Sequence, residues 1–173
     1  MEKVAKFYRV SFERFAKDFR DAAPDVVWSD EALTEIYEGI RLPLRATAGS
    51  AGYDFYLPCS LKLAPGETAK IVTGIRARIA PGWVLINVPK SGLGFKFRLQ
   101  MDNTVGVIDA DYFGSDNEGH IMAKLTNDSR SGKTLELAAG KAFMQGLFLP
   151  FGITEDDAAT GVRNGGFGST EKE

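Results

Sequence analysis

The sequence predicts an all-β fold, a jelly-roll-like sandwich or barrel, carrying a short helical N-terminal extension. Two observations predict it. From Leu42 onward, short apolar runs (Ala69 to Ile79, Trp83 to Val88, Val105 to Ile108, Ile121 to Leu125, Ala142 to Phe148) are separated by Gly, Pro, Asn and Asp, the rhythm of strands and turns. Ahead of residue 41 the apolar residues instead recur at helical spacing behind cap residues. The chain therefore divides into a helical extension at 1–41, a β domain at 42–153 and a C-terminal arm at 154–173.

In the extension, Ser11 is placed to cap a helix whose Phe12, Phe15 and Phe19 share one face. Ser29 is placed to cap a second, with Leu33, Ile36, Tyr37 and Ile40 as its stripe, and Trp28 and Leu33 have the spacing of a hydrophobic staple. Residues 22–27, around Pro24, read as the linker. No internal repeat interrupts the strand pattern.

Composition narrows the function. At 173 residues and 44% hydrophobic, the chain can bury the core of one domain. A net charge of -2 gives no broad electrostatic footprint for nucleic acid, so phosphate binding has to be local. The single cysteine, Cys59, excludes an internal disulfide framework, and no Cys/His cluster has zinc spacing. Residues 1–20 mix charges throughout and lack the apolar stretch of a signal peptide, and no run approaches the ~18 apolar residues of a membrane span. The expectation is a soluble, cytoplasmic protein without a nucleic-acid or membrane partner.

Five segments carry candidate chemistry. Ala51-Gly52-Tyr53-Asp54 reads as a strand entry. In Pro89-Lys90-Ser91-Gly92-Leu93-Gly94 a cation, a hydroxyl and free backbone N–H groups at a helix start suit an anion, although the same residues also serve as a plain cap. Gly106-Val107-Ile108-Asp109-Ala110-Asp111-Tyr112 feeds an apolar strand into two carboxylates and a tyrosine. Gly140 to Gln145 is a turn and a core strand with Gln145 as its functional candidate. The last, Arg163-Asn164-Gly165-Gly166-Phe167-Gly168-Ser169-Thr170, combines a fork-shaped cation, an aromatic ring and two hydroxyls on a backbone freed by glycine. It reads as a nucleotide clasp or as a tail.

In this order the five segments resemble the motifs of the trimeric, all-β dUTPases of bacterial and bacteriophage type, over about Leu42 to Thr170. The resemblance implies a jelly-roll-like fold and a homotrimer with sites shared between subunits. It also implies Mg²⁺-dependent hydrolysis of dUTP to dUMP and pyrophosphate, limiting uracil in DNA and supplying dUMP for dTMP synthesis. By position, Asp109 takes the role of the carboxylate that activates the attacking water. Asp54 takes that of an outer-sphere contact to the metal through water, with no direct protein ligand. Lys90, Ser91, Gly92 and Gln145 match phosphate contacts. Asn103, six residues before Asp109, matches the uracil contact on the hairpin that Gly106 continues. Tyr112 matches the ring beneath the deoxyribose and Arg163 the γ-phosphate clamp. Phe167 matches the ring over uracil, followed by Gly168, Ser169 and Thr170.

The chain departs from that pattern in places. One residue fewer separates Arg163 from Gly-Gly-Phe, Glu171 stands for the final glycine, and Lys90 stands for the commoner arginine, losing its bidentate fork. Lys141 and Ala142 occupy positions where acid and arginine are common. The stretch from Phe113 to His120 is longer than the simplest family hairpin, and His120, the only histidine, reads as an exposed loop residue rather than a catalytic one. Two alternatives remain: a dCTP deaminase-like or bifunctional enzyme, whose glutamate would fall near Lys124, and a dUTPase-like regulator that binds an unidentified protein with nucleotide as its switch.

Overall fold

A computed structural model gives the structure of the chain and describes residues 2–165. Two sheets face each other without closing into a barrel. The first orders β1 (Ala5–Arg9), β5 (Thr68–Ile79), β9 (Ile121–Asn127) and β7 (Leu99–Met101); the second orders β2 (Leu44–Arg45), β3 (Tyr53–Tyr56), β11 (Ala142–Pro150), β6 (Trp83–Pro89) and β8 (Gly106–Ile108). A two-stranded ribbon joins β4 (Leu61–Leu63) to β10 (Leu135–Leu137). Among the described residues all strand pairings are antiparallel. Inward-facing residues alternate with outer ones, as in β9, where Ile121, Ala123 and Leu125 are buried and Lys124 is exposed. The all-β sandwich expected from the turn rhythm is the observed architecture.

The first residues do more than form helices. Ala5 to Arg9 run antiparallel to Ile75–Ile79 as an edge strand, and Phe7 reaches across to Tyr53, Phe55 and Phe148 of the opposite sheet at ring separations of 5.4 to 5.6 Å. α1 (Phe12–Ala22) and α2 (Asp30–Glu38) follow, each with its serine cap: Ser11 Oγ accepts from the Arg14 N–H and Ser29 Oγ from the Ala32 N–H. Phe15 and Leu33 are fully buried, and Trp28 packs edge-on against Phe19 at 5.1 Å. The extension is thus continuous with the sandwich core.

One irregularity links this extension to the sheet. The β5–β9 register shifts between Val72 and Ile75, a bulge centred on Thr73 and Gly74. Gly74 has φ +72°, and a Cβ there would meet Ile40 Cδ1 at 2.3 Å, so both conformation and space demand glycine. Its carbonyl accepts from the Val10 N–H. Its own N–H, turned out of the ladder, donates to His120 Nε2 at 2.8 Å.

Candidate active site

Three strands bring the first group together. Gln145 on β11 is the register partner of both Asp54 on β3 and Val88 on β6. Two residues past Val88 the strand gives way to α3 (Ser91–Phe97), with Lys90 at its N-cap in extended conformation. The Lys90 N–H is tied to the Phe143 carbonyl, so its ammonium is aimed back over the sheet, where it meets Asp54 Oδ1 at 2.7 Å. Gly52 lies so near Gln145 that a Cβ would come within 2.7 Å of Oε1. Ser91 and Gly92 are exposed in the first turn of α3, where N–H groups lack intrahelical partners. Carboxylate, ammonium, amide and hydroxyl from three of the five segments therefore share one end of the sheet.

The second group stands at the other end of β6. Ile108 pairs with Leu85, so Asp109 emerges opposite Val84, six residues back along β6 from Lys90. At about 3.3 Å per strand residue the two groups are roughly 20 Å apart. After Asp109 a 3₁₀ turn, Ala110–Gly114, carries Asp111 and Tyr112. Arg163 folds onto this turn: Nη2 reaches Asp109 Oδ2 at 2.5 Å, and Nε lies 3.0 Å from Asp111 Oδ1 as an ion pair without hydrogen-bond alignment. Its guanidinium carbon is 5.7 Å from the centre of the Tyr112 ring.

Tyr112 is held from behind. It is 5% exposed, and its hydroxyl donates to the His120 carbonyl at 2.9 Å while accepting from Asn117 Nδ2 at 2.7 Å. Burial pushes this hydroxyl above its usual range, so it stays protonated as that donation requires. His120 is not the exposed loop residue the sequence suggests: it is fully buried, because the bulge at Gly74 offers an N–H that only an inward-turned acceptor can satisfy. Its Nδ1 lies 2.6 Å from Asp18 Oδ2 on α1. Burial pushes the Asp18 carboxyl upward, but the His120 hydrogen bond and the Arg14 guanidinium outweigh it and hold the group below its ordinary range.

Asn103 occupies an exposed turn between β7 and β8, its carbonyl accepting from the Val105 N–H. Lys70, Asp102, Met122, Ala123 and Lys124 line a surface pocket beside it. Gly106, which starts β8, lies so close to Asn87 and Met101 that a Cβ would stand 3.2 Å from each. Lys124 pairs with Asp102 at 3.2 Å, leaving a cation where a deaminase would keep its base. Phe167, Gly168, Ser169 and Thr170 lie outside the described residues. The structure adds residues that the sequence reading passed over: Asp18, Glu118 and Arg76, which touch the Tyr112 segment from elements distant in sequence and so leave no local pattern.

An all-β sandwich with phosphate-suited groups at its strand ends and a Gly-rich arm beyond them defines a class of nucleotide hydrolase. Comparison makes the class specific. A model of the dUTPase family matches residues 38–171. The deoxyuridine 5'-triphosphate nucleotidohydrolase of Lactococcus lactis is 39% identical over 135 residues, 76% of this chain and 89% of that protein. The enzyme of the same name from Escherichia coli O9:H4 is 36% identical over 140 residues, covering 76% and 88%. The crystal structure of the Streptococcus mutans dUTPase matches with a TM-score of 0.60 at 37% identity, over 68% of this chain and 91% of that one. A Staphylococcus bacteriophage 80alpha dUTPase gives a TM-score of 0.63 over 94% and 100%, a likeness of fold alone at 17% identity. The chain belongs to the dUTPase family. Its activity is accordingly hydrolysis of dUTP to dUMP and pyrophosphate.

Proposed function

We propose that this hydrolysis runs at sites shared between copies of the chain in a homotrimer, with Asp109 as the general base. The separation of the two groups is the observation that carries the reading. A triphosphate held by Lys90, Ser91, Gly92 and Gln145 lies at one end of β6, while the carboxylate able to take a proton from water lies roughly 20 Å away at the other. A partner copy supplying its own Asp109 and Tyr112 closes that gap. The exposed Val107, 57% accessible on the strand that delivers Asp109, suits burial against such a partner.

At the completed site Asp109 takes a proton from water as the water oxygen attacks the α-phosphorus. The bond from that phosphorus to its bridging oxygen breaks and pyrophosphate leaves. Lys90 and Gln145 hold phosphate oxygens, and Arg163 exchanges its carboxylate partners for phosphate, which frees Asp109 to act as base. Tyr112 lies under the sugar, where a 2′-hydroxyl would lose hydration without gaining a partner. Asn103 and the hairpin read the base, and Phe167 covers it.

Among the described residues no three His, Cys, Asp or Glu side chains converge on one point. Asp54, paired with Lys90 at the phosphate end, fits instead an outer-sphere contact, through water, to a Mg²⁺ that would arrive with the substrate and would supply neutralisation of developing negative charge. Among the described residues no helix is long and apolar enough to cross a membrane.

Product analysis with dUTP, dCTP, dTTP and UTP plus Mg²⁺ tests the function. Pyrophosphate and dUMP from dUTP, with far slower turnover of the other three nucleotides, is the expected result. Ammonia released from dCTP would favour the deaminase reading, and tight dUTP binding without turnover the regulator reading.

A further inference from the structure

The α1 helix lies ahead of the region the family model matches, yet its cap and first turns are fastened to residues 116–120, the stretch that follows the Asp109 turn. Glu118 accepts from both the N–H and the hydroxyl of Ser11, at 2.8 and 2.5 Å, and Arg14 Nη2 donates to the Asp116 carbonyl at 2.9 Å. Glu118 has φ +59°, a backbone conformation that costs a non-glycine residue energy and persists only where the surroundings fix it. Arg76 on β5 adds a third anchor, donating to the Phe113 carbonyl at 2.5 Å with its guanidinium 3.7 Å from the Phe113 ring centre.

The innermost link has a defined proton arrangement. His120 Nε2 accepts from the Gly74 N–H, so the proton of the neutral ring sits on Nδ1 and is donated to the Asp18 carboxylate. The imidazole is therefore locked in tautomer and in plane, and the backbone carbonyl of the same residue receives the Tyr112 hydroxyl. A continuous path runs from Asp18 through His120 to the ring assigned to the sugar.

We propose that Asp18 is a positioning residue for dUTP hydrolysis, holding Tyr112 and the Asp109 turn in place through His120, so that the N-terminal segment is a working part of the nucleotide site. The inference rests on the sugar-packing role of Tyr112 given above. Asp18 touches neither substrate nor metal. Its effect is on the orientation of a ring two hydrogen bonds away, and the quantity it governs is discrimination between deoxyribose and ribose.

The test compares wild type, Asp18→Ala and Asp18→Asn as full chains by two readouts: amide exchange across residues 111–120 without nucleotide, and the ratio of kcat/KM for dUTP to that for UTP. In Asp18→Ala, exchange should rise in 111–120 but not in β11, and the ratio should fall about fivefold or more, the scale of one lost hydrogen bond. Asp18→Asn keeps an oxygen for the Nδ1–H and should restore both readouts most of the way. A uniform rise in exchange, or an unchanged ratio, overturns the inference. Should Asp18→Ala not fold, Glu118→Gln, at the neighbouring and wetter contact of the same segment with Ser11, is expected to shift both readouts in the same direction by about twofold; wild-type values in that variant overturn the proposal that the N-terminal segment is a working part of the site. Absence of dUTP turnover in the wild type would sink the proposed function instead, and local exchange alone would then decide whether Asp18 holds the Tyr112 segment.

Discussion

The two ends of β6 solve different problems with different materials. At the Lys90 end the functional side chains come from strands in mutual register, so Asp54, Gln145 and Lys90 are placed by the backbone ladder itself. At the Asp109 end the strand has stopped, and a 3₁₀ turn with a long following segment presents the carboxylates and the tyrosine. Such a turn has few ladder bonds of its own. It is held by side-chain contacts from Ser11, Arg14, Asp18 and Arg76, and by Arg163 of the C-terminal arm. On the roles proposed above, phosphate binding, which tolerates a broad target, falls to the sheet, and proton abstraction and sugar choice, which need a closely set geometry, fall to a turn that other elements brace.

The sharpest way to break the comparison is at the base. Asp109→Asn keeps size and should keep the fold, while kcat falls by about two orders of magnitude or more. Steady-state kinetics with a thermal melt as control checks it; near-normal turnover would remove Asp109 from the chemistry. Ending the chain at Thr160 removes Arg163 and the Gly-rich arm together. Turnover should drop by about an order of magnitude or more as the closed geometry is lost, with the circular dichroism spectrum unchanged.

At the other end the effect should be in binding. Lys90→Met leaves the stem packed but removes the charge opposite Asp54, so KM should rise about tenfold with a smaller change in kcat. A variant that instead lost kcat at constant KM would move the phosphate grip closer to the chemistry than its place on the sheet suggests.

Acid should loosen the braced end first. Asp18, facing His120 and Arg14, and Glu118, facing Ser11, Arg76 and Arg14, both have carboxyls held below their ordinary values of 3.8 and 4.5. Burial raises each, and the hydrogen bonds from His120 and Ser11 with the neighbouring arginines outweigh it. Groups whose folded pKa is depressed contribute stability that is complete above the unfolded value and lost as pH falls through the folded one. Exchange protection in residues 111–120 should therefore be full at neutral pH and decline below about pH 4, ahead of the strands at the Lys90 end. Simultaneous loss across the whole chain would erase the distinction between the two ends.

Much of the fold was legible in the sequence because its signals are local. Alternation and turn residues placed β5, β6, β8, β9 and β11, and the serine caps placed both helices within a residue or so. The edge strand Ala5–Arg9 was not legible, since five residues ahead of a strongly amphipathic helix carry too short a pattern, and what makes them a strand is a partner seventy residues on. His120 was misread for the same reason: nothing near it announces a bulge at Gly74 or a carboxylate on α1. Motif order likewise singles out Lys90 and Asp109 as candidates, but their separation along one strand is visible only once register is known.

That separation is the central claim, and mixing subunits tests it most directly. Asp109→Asn and Lys90→Met chains are denatured together and refolded, then assayed for dUTP hydrolysis at dUTP well below the wild-type KM, where each is impaired alone, beside each variant refolded alone. If one copy supplies the Lys90 end and another the Asp109 end, mixed assemblies contain sites with both ends intact, and activity should rise well above the sum of the two separate preparations. Activity no greater than that sum would mean that each chain completes its own site, and the shared-site account would fall.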